Sequence, residues 1–105
     1  MSGLSLKFAA DHPCGAGHFP GHPIIPGALL LDEVLALIGA HAGLDEGTWH
    51  IRSAKFPQPV RPGDEVHIDY TRTASGEIRF ECDVSGSKVL AGIAYRRIAT
   101  ESISP

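Results

Sequence analysis

The stretch GALLLDEVLALIGAHA, residues 27–42, is the longest continuous helix signal in this sequence. It consists mostly of alanine and leucine, which are strong helix formers, and Gly43 directly after it is suited to end a helix. Apolar side chains occupy all sides of the predicted helix instead of forming a single stripe. We therefore expect one long helix that is buried on most sides and surrounded by the rest of the chain.

The residues that follow the helix predict antiparallel strands. Residues 65–73 and 77–84 alternate between apolar and polar side chains, as half-buried strands do, and residues 89–94 are apolar on both faces. Turn residues separate these runs, including a Pro62-Gly63 pair suited to a type II turn. The predicted strands span residues 4–9, 48–56, 65–73, 77–84 and 88–98. This order predicts an α+β fold in which an antiparallel sheet wraps one central helix, with a sheet edge that invites dimerisation.

Length and composition point to one domain over residues 1–105, with residues 99–105 as a frayed tail. The chain has 9 basic and 12 acidic residues and a net charge of −3, so a nucleic-acid partner is not expected. No secretory signal or membrane-spanning run is recognisable. The two cysteines, Cys14 and Cys82, do not form a dense disulfide pattern, which indicates a reducing, cytoplasmic location.

A second unusual segment, residues 13–27, contains eight of the glycines and prolines of the chain. Proline fixes φ and restricts the residue before it, so we expect an ordered loop of defined shape. His18 lies in this loop, and a neutral imidazole is a suitable general base. The helix begins nine residues later, where the free N–H groups of Gly27 and Ala28 can face a developing oxyanion.

Two carboxylates, Asp32 and Glu33, interrupt the apolar helix, and neither has a cation three or four residues away. One alternative is that each points into solvent. The other is that a carboxyl faces an apolar cavity, which favours its neutral form and makes it a general acid.

Three further readings of the polar residues stay open. The first is a zinc site, because a cluster of histidine and cysteine side chains in the loop offers ligands that suit zinc. Their spacing matches no common zinc signature, however, and no cofactor is expected. Five basic side chains either gather at one mouth to meet an acidic carrier protein or are ordinary solvated charges. The cluster residues are His12, Cys14, His18 and His22, and the basic residues are Arg52, Lys55, Arg61, Arg96 and Arg97.

The segment HFPGHPIIPG, residues 18–27, followed by ALLLD, residues 28–32, closely resembles the active-site segment of bacterial β-hydroxyacyl-acyl-carrier-protein dehydratases. Those enzymes of fatty-acid synthesis have the hot-dog fold. AKFPQPVRPGDEV, residues 54–66, is similar to a strand and PGD turn of the same family, and the resemblance covers about residues 6–97.

The resemblance implies roles for individual residues. His18 falls on the catalytic histidine and Asp32 on the catalytic carboxylate, which in this family comes from the opposite subunit. Gly27 falls on the residue whose N–H binds the thioester carbonyl, and the Ile24 carbonyl on the one that holds the histidine. The substrate-binding set that the resemblance implies is Gly27, Ala28, Ile24 and Phe19.

An aspartate at position 32 is similar to the hydroxydecanoyl branch of the family, some members of which also isomerise the double bond. Relatives carry a helix and a strand ahead of the segment that matches the first strand here, and we expect a chain without them, similar to short stand-alone dehydratases of polyene and other specialised lipid pathways. Because the histidine and carboxylate of one site come from opposite subunits in this family, the resemblance implies a homodimer, which can assemble further, and no metal or cofactor.

The resulting expectation is a dehydratase that converts a 3-hydroxyacyl thioester, carried by acyl carrier protein or coenzyme A, into the trans-2-enoyl thioester. A hot-dog thioesterase, in which Asp32 or Glu33 activates water, is the alternative within the enzymes. A non-catalytic module that binds acyl thioesters or carrier protein is the alternative outside them.

Overall fold

The computed structural model describes residues 3–9, 24–44 and 47–97. The predicted elements within these ranges are confirmed, with the helix bounds as expected and the strand bounds within two residues. The predicted tail, and the last residue of the fifth strand, lie outside them. The elements in chain order are β1 (Leu4–Lys7), α1 (Gly27–Ala42), β2 (Thr48–Lys55), β3 (Glu65–Arg72), β4 (Ile78–Val84) and β5 (Ser87–Arg97).

All five strands belong to one antiparallel sheet in the order β1-β3-β4-β5-β2. β2 follows the helix in the sequence but pairs with β5 at the far edge of the sheet. Its register shifts at Arg52, because Ile51 pairs with Ala94 and Ser53 with Ile93. The fold is therefore α+β, as predicted, with β1 and β2 as the two edges of the described sheet.

The core lies between the helix and one face of the sheet, and the predicted alternation places it correctly. Ile78, Phe80 and Cys82 of β4 are at most 1% exposed. Gly92 on β5 makes room for the Phe80 ring, since a Cβ there would lie 2.6 Å from Phe80 Cζ and 2.5 Å from the Ser53 carbonyl oxygen. Burial of each large apolar side chain contributes about 1.5–3 kcal/mol.

The helix buries only one face in the single chain, which differs from the expected burial on most sides. Leu30, Val34 and Ile38 are at most 2% exposed. The opposite face of the helix is exposed because a single sheet layer covers only one side of a helical cylinder. The alanines on this face expose little apolar area. Its exposed residues are Ala28, Asp32, Glu33, Ala36, Ala40 and His41.

The predicted turns are confirmed by their backbone geometry. Gly63 has φ 93°, and the Asp64 N–H donates to the Arg61 carbonyl at 3.0 Å, so Pro62 and Gly63 occupy the two central turn positions. Ser85 and Gly86 have φ 50° and 85° and form the two-residue loop of the β4-β5 hairpin. Over the described ranges, no helix combines the length and apolarity needed to cross a membrane.

Candidate active site

The predicted site residues divide between the described and undescribed parts of the chain. Ile24 and Gly27 are half-buried, whereas Ala28 and Asp32 are exposed. His18 and Phe19 lie outside the described residues, as do the other members of the proposed metal cluster, His12, Cys14 and His22. Within residues 3–9, 24–44 and 47–97, no three metal-binding side chains come together.

The segment Val60–Gly63 holds the chain on both sides of residues 10–23. On one side, Gly63 N–H donates to the Phe8 carbonyl at 2.8 Å, and on the other, Ile25 N–H donates to the Val60 carbonyl at 2.7 Å. Phe8 and Ile25 are each 4% exposed and therefore act as buried anchors. The chain consequently leaves β1 and enters α1 beside the same turn, which sets where the helix begins.

The helix N-terminus presents the positive end of the helix dipole. No side chain among the described residues caps it, and its first turn contains no acidic residue. The first intrahelical bond runs from Leu30 N–H to the Pro26 carbonyl at 3.0 Å, so the N–H groups of Gly27 and Ala28 have no helical acceptor. Such groups bind anions and stabilise developing oxyanions.

Phe56 lies beside this N-terminus. A Cβ at Gly27 would be 3.2 Å from Phe56 Cε1 and Cζ, so the glycine lets the ring approach the helix backbone. Phe56 itself is 44% exposed. The N-terminus is therefore flanked on one side by an apolar ring.

Asp32 is exposed in the single chain and lines a hollow of about 340 Å³. Of the two alternatives, the single chain shows the solvent-exposed one for both carboxylates, Glu33 as well as Asp32. Charged and apolar side chains share the hollow with it. They are Glu33, Ala36, Gly39, Ala40, Leu44, Trp49 and Arg96.

Trp49 lines this hollow and was missed by sequence reasoning, which named Arg96 only among the basic residues. They are register partners on β2 and β5, and the Arg96 guanidinium carbon lies 5.0 Å from the centroid of the Trp49 ring. The Trp49 Nε1 is buried and has no hydrogen-bond partner among the described residues. No local signal relates either residue to Asp32, because all three lie on different elements.

The five basic residues do not form one cluster in the described structure. Arg52 forms an ion pair with Glu77, and this hydrogen bond and charge raise the pKa of Arg52. Arg96 lies over Trp49, and its neighbour Arg97 points to the other face of the sheet. Lys55 and Arg97 lie at opposite ends of the β2-β5 ladder. These positions favour ordinary solvated charges over a single basic mouth.

A larger open groove, of about 570 Å³, lies on the face of the sheet opposite the helix. Oppositely charged side chains such as Lys55, Asp69, Arg79 and Glu81 line it. It contains none of the predicted site residues. We therefore assign the candidate site to the smaller hollow, which Asp32 lines together with other residues of the helix surface.

Comparison with known sequences identifies dehydratases. The profile of a family described as ApeI-like, ApeI dehydratase, matches residues 2–94. The chain is 36% identical over 100 residues to the 3-hydroxyacyl-acyl-carrier-protein dehydratase FabZ of Rhizobium rhizogenes, covering 84% of this chain and 64% of that protein. Its identity to FabZ of Bartonella henselae is 34% over 91 residues, covering 75% and 59%. The chain thus spans about three fifths of the length of these curated relatives.

Comparison with solved structures confirms the hot-dog fold. The dehydratase heterocomplex ApeI:P of Xenorhabdus doucetiae superposes with a TM-score of 0.68 at 24% identity, covering 89% of this chain and 84% of that one. An uncharacterised protein of Erwinia carotovora gives 0.74 at 23% identity, covering 92% and 82%. A hexameric hotdog-fold thioesterase of Campylobacter jejuni gives 0.55 at 17% identity, covering 95% and 84%. At these identities the similarity concerns the fold alone.

Proposed function

This chain belongs to the ApeI-like family of dehydratases, and we propose that it removes water from a 3-hydroxyacyl thioester to give the trans-2-enoyl thioester. The pathway is fatty-acid synthesis or related lipid or polyene synthesis, and the acyl group is carried by acyl carrier protein or coenzyme A. The observation that carries the proposal is the exposed Asp32 beside an open hollow, about one and a half turns beyond a helix N-terminus that no described side chain caps. The curated FabZ relatives support the same reaction.

The mechanism assigns one step to each group. His18 removes the α-proton, and the electron pair moves toward the thioester oxygen, which the Gly27 N–H stabilises at the helix N-terminus. The pair then forms the double bond as the β-hydroxyl leaves with a proton from Asp32 of the other subunit. His18 gains one proton and Asp32 loses one, so proton exchange with solvent returns both side chains to their starting protonation states. General acid or base assistance of this kind contributes about 10²–10⁴ in rate.

The proposed active unit is a homodimer, which can assemble further. Its support is the outer edge of β2, which pairs with no further strand of the described sheet and is suited to pair with a second strand. Two large apolar side chains near this edge, Ile51 and Phe56, are 42% and 44% exposed. The exposed helix strip that carries Asp32 gives a partner subunit a surface to cover. We place the enzyme in the cytoplasm, where the free cysteine Cys82 stays reduced.

The function is tested by incubating the purified protein with 3-hydroxyacyl thioesters on carrier protein and on coenzyme A. We expect enoyl absorbance and the loss of one water by mass spectrometry. His18→Ala and Asp32→Asn should each lower kcat by about 10² or more while the oligomer stays intact. Asp69→Asn, an exposed carboxylate on the opposite face of the sheet, is the matched control and should keep the wild-type rate.

Two outcomes contradict the proposal. Release of free thiol without enoyl product would identify a thioesterase instead. Wild-type turnover by Asp32→Asn would remove the assigned acid from the mechanism.

A further inference from the structure

The face of the sheet opposite the helix carries two rows of side chains that run across four strands. Within a row, each residue is the register partner of the next, and all of them line the open groove of about 570 Å³. The first row, from β3 to β2, is Asp69, Glu81, Ala91 and Lys55. The second row is Thr71, Arg79, Ile93 and Ser53. The first row therefore has two acids at one end and a lysine at the other.

The acidic end of the first row is electrostatically unfavourable in the single chain. Asp69 and Glu81 lie directly opposite each other on neighbouring strands, and like charges in this arrangement repel. Glu81 accepts a hydrogen bond from Lys88 at 3.0 Å, whereas Asp69 forms no ion pair with any residue that the structure describes. A cation supplied by another molecule would therefore stabilise Asp69.

Lys55 ends the same row on the edge strand β2. It is exposed and forms no ion pair with a side chain of the described ranges. Three strand spacings of about 4.8 Å each place it about 14 Å from Asp69, so the two charges do not meet within one chain. Between them, Ala91 and Ile93 are half-buried and carry no charge. The row thus has an acid and a base at its two ends, separated by an apolar middle.

We propose that this face binds the same face of a second copy, so that two of the proposed dimers associate back to back. A two-fold axis parallel to the strands, between β4 and β5, lays β2 of the second copy over β3 of the first. Asp69 of each copy then faces Lys55 of the other, and the contact occurs twice. Packed sheets lie about 10 Å apart, a gap that a lysine and an aspartate side chain span together.

The association is weak and depends on salt. Exposed ion pairs contribute little to affinity, and dissolved salt screens them. We therefore expect the dimer in dilute solution and on a chromatography column, and a tetramer in concentrated solution at low salt. The hollow beside Asp32 lies on the other side of the sheet, so this inference does not rest on the proposed function.

Sedimentation equilibrium over a range of protein concentrations measures the association. At low salt, the mass should rise with concentration to twice that of the species in dilute solution, and high salt should reverse the rise. A mass that stays constant at every soluble concentration would overturn the inference. Because the measurement is a mass, failure of the dehydration assay leaves this result standing, and the reverse also holds.

Charge exchange tests whether these two residues form the contact. Lys55→Glu and Asp69→Lys each bring like charges together twice, and each should lower the association constant by about tenfold or more. The double variant Lys55→Glu/Asp69→Lys restores opposite charges and should recover the association of the wild type. A double variant as weak as the single variants would overturn the inference.

Lys7→Glu is the matched control. It makes the same charge change at an exposed position of β1, the edge strand that this two-fold axis leaves outside the overlap. Its association constant should equal that of the wild type, and a loss as large as that of Lys55→Glu would attribute the effect to net charge and overturn the inference. If a variant does not fold, the concentration series on the wild type decides alone.

Discussion

Asp32 shows how the surroundings of a residue determine its chemistry. Its neighbours along the helix are apolar, so the sequence indicates an unusual carboxylate without showing what faces it. In the structure it shares a hollow with Arg96 of β5 and Trp49 of β2. The Arg96 side of this hollow comes from a strand more than sixty residues away in the sequence, so no local pattern predicts the surroundings of Asp32. Its proposed role as an acid depends on this hollow as much as on the residue type.

Cys82 is a residue whose environment makes it chemically inert. It is 1% exposed, and burial together with the charges of Asp83, Asp69 and Glu81 raises the pKa of its thiol from 9.0 to about 12. The thiolate, which is the reactive form, is therefore scarce in the folded protein. In a Cys14→Ser background, we predict that a disulfide reagent at pH 8 labels Cys82 only as fast as the protein unfolds. Rapid labelling of the native protein would contradict this prediction.

The same thiol predicts a loss of stability at alkaline pH. Because the pKa of Cys82 is higher in the folded state, the unfolded chain ionises first, and the free energy of unfolding falls as pH rises from about 9 toward about 12. Below that window the thiol is neutral in both states and has no such effect. Urea unfolding across this range should show a smaller decrease for Cys82→Ala than for the wild type. Equal decreases in the two proteins would show that the Cys82 thiol is not responsible.

The turn at residues 61–64 is the element that connects the sheet to the candidate site. The Arg61 N–H donates to Asp64 Oδ2 at 2.9 Å, and this bond closes the turn together with the backbone bond between the same residues. The neighbouring groups of Val60 and Gly63 hold Ile25 and Phe8. A loosened turn should therefore affect the position of the helix N-terminus as well as the stability of the fold.

Asp64→Ala removes the side-chain acceptor and should lower the free energy of unfolding by about 0.5–1.5 kcal/mol. A lower kcat at unchanged oligomeric state should accompany it, because the anchor next to Gly27 is weakened. Thermal unfolding and the dehydratase assay measure the two effects. Asp64→Asn keeps an acceptor oxygen and serves as the control. An Asp64→Ala protein as stable as the wild type would show that the backbone bond alone holds the turn.

The elements themselves follow closely from local chemistry. The bounds of α1 are predicted correctly because alanine and leucine favour the helix and Gly43, with φ 75°, ends it. β3 and β4 are predicted because their side chains alternate in polarity over a buried face. The exposed face of α1 is mispredicted for the single chain, because apolar composition alone does not tell which side a sheet covers.

The proposed dimer predicts how a substitution on the edge strand β2 changes the oligomeric state. Ile51 lies on the edge strand β2, pairs with Ala94 on one side and is 42% exposed. In a two-fold symmetric interface each such residue occurs twice, so one substitution changes two contacts. Lysine on an edge strand opposes pairing with another strand.

Ile51→Lys should therefore convert the dimer into a monomer and abolish dehydration, because the proposed His18 and Asp32 of one site come from different subunits. Light scattering coupled to size-exclusion chromatography measures the mass, and circular dichroism checks the fold. His67→Lys, on an exposed position of β3, is the control and should stay dimeric. An Ile51→Lys dimer with full activity would place the interface elsewhere.

Short-range interactions explain what could be read from the residues alone. Helix and strand periodicity, the turn residues and the segment from His18 to Asp32 predicted the α+β class, the elements and the family, because each depends on neighbours a few positions apart. The resemblance also assigns roles to Gly27 and Asp32, and these roles stay predictions.

The strand order, the exposed strip of α1 and the hollow lined by Asp32, Trp49 and Arg96 were decided only by the tertiary structure. Each depends on contacts between residues far apart in the chain, such as the pairing of β2 with β5 at the sheet edge. The free energies that select these contacts come from burial against partners that no local pattern specifies. For that reason the residues that surround Asp32 became visible only in the folded chain.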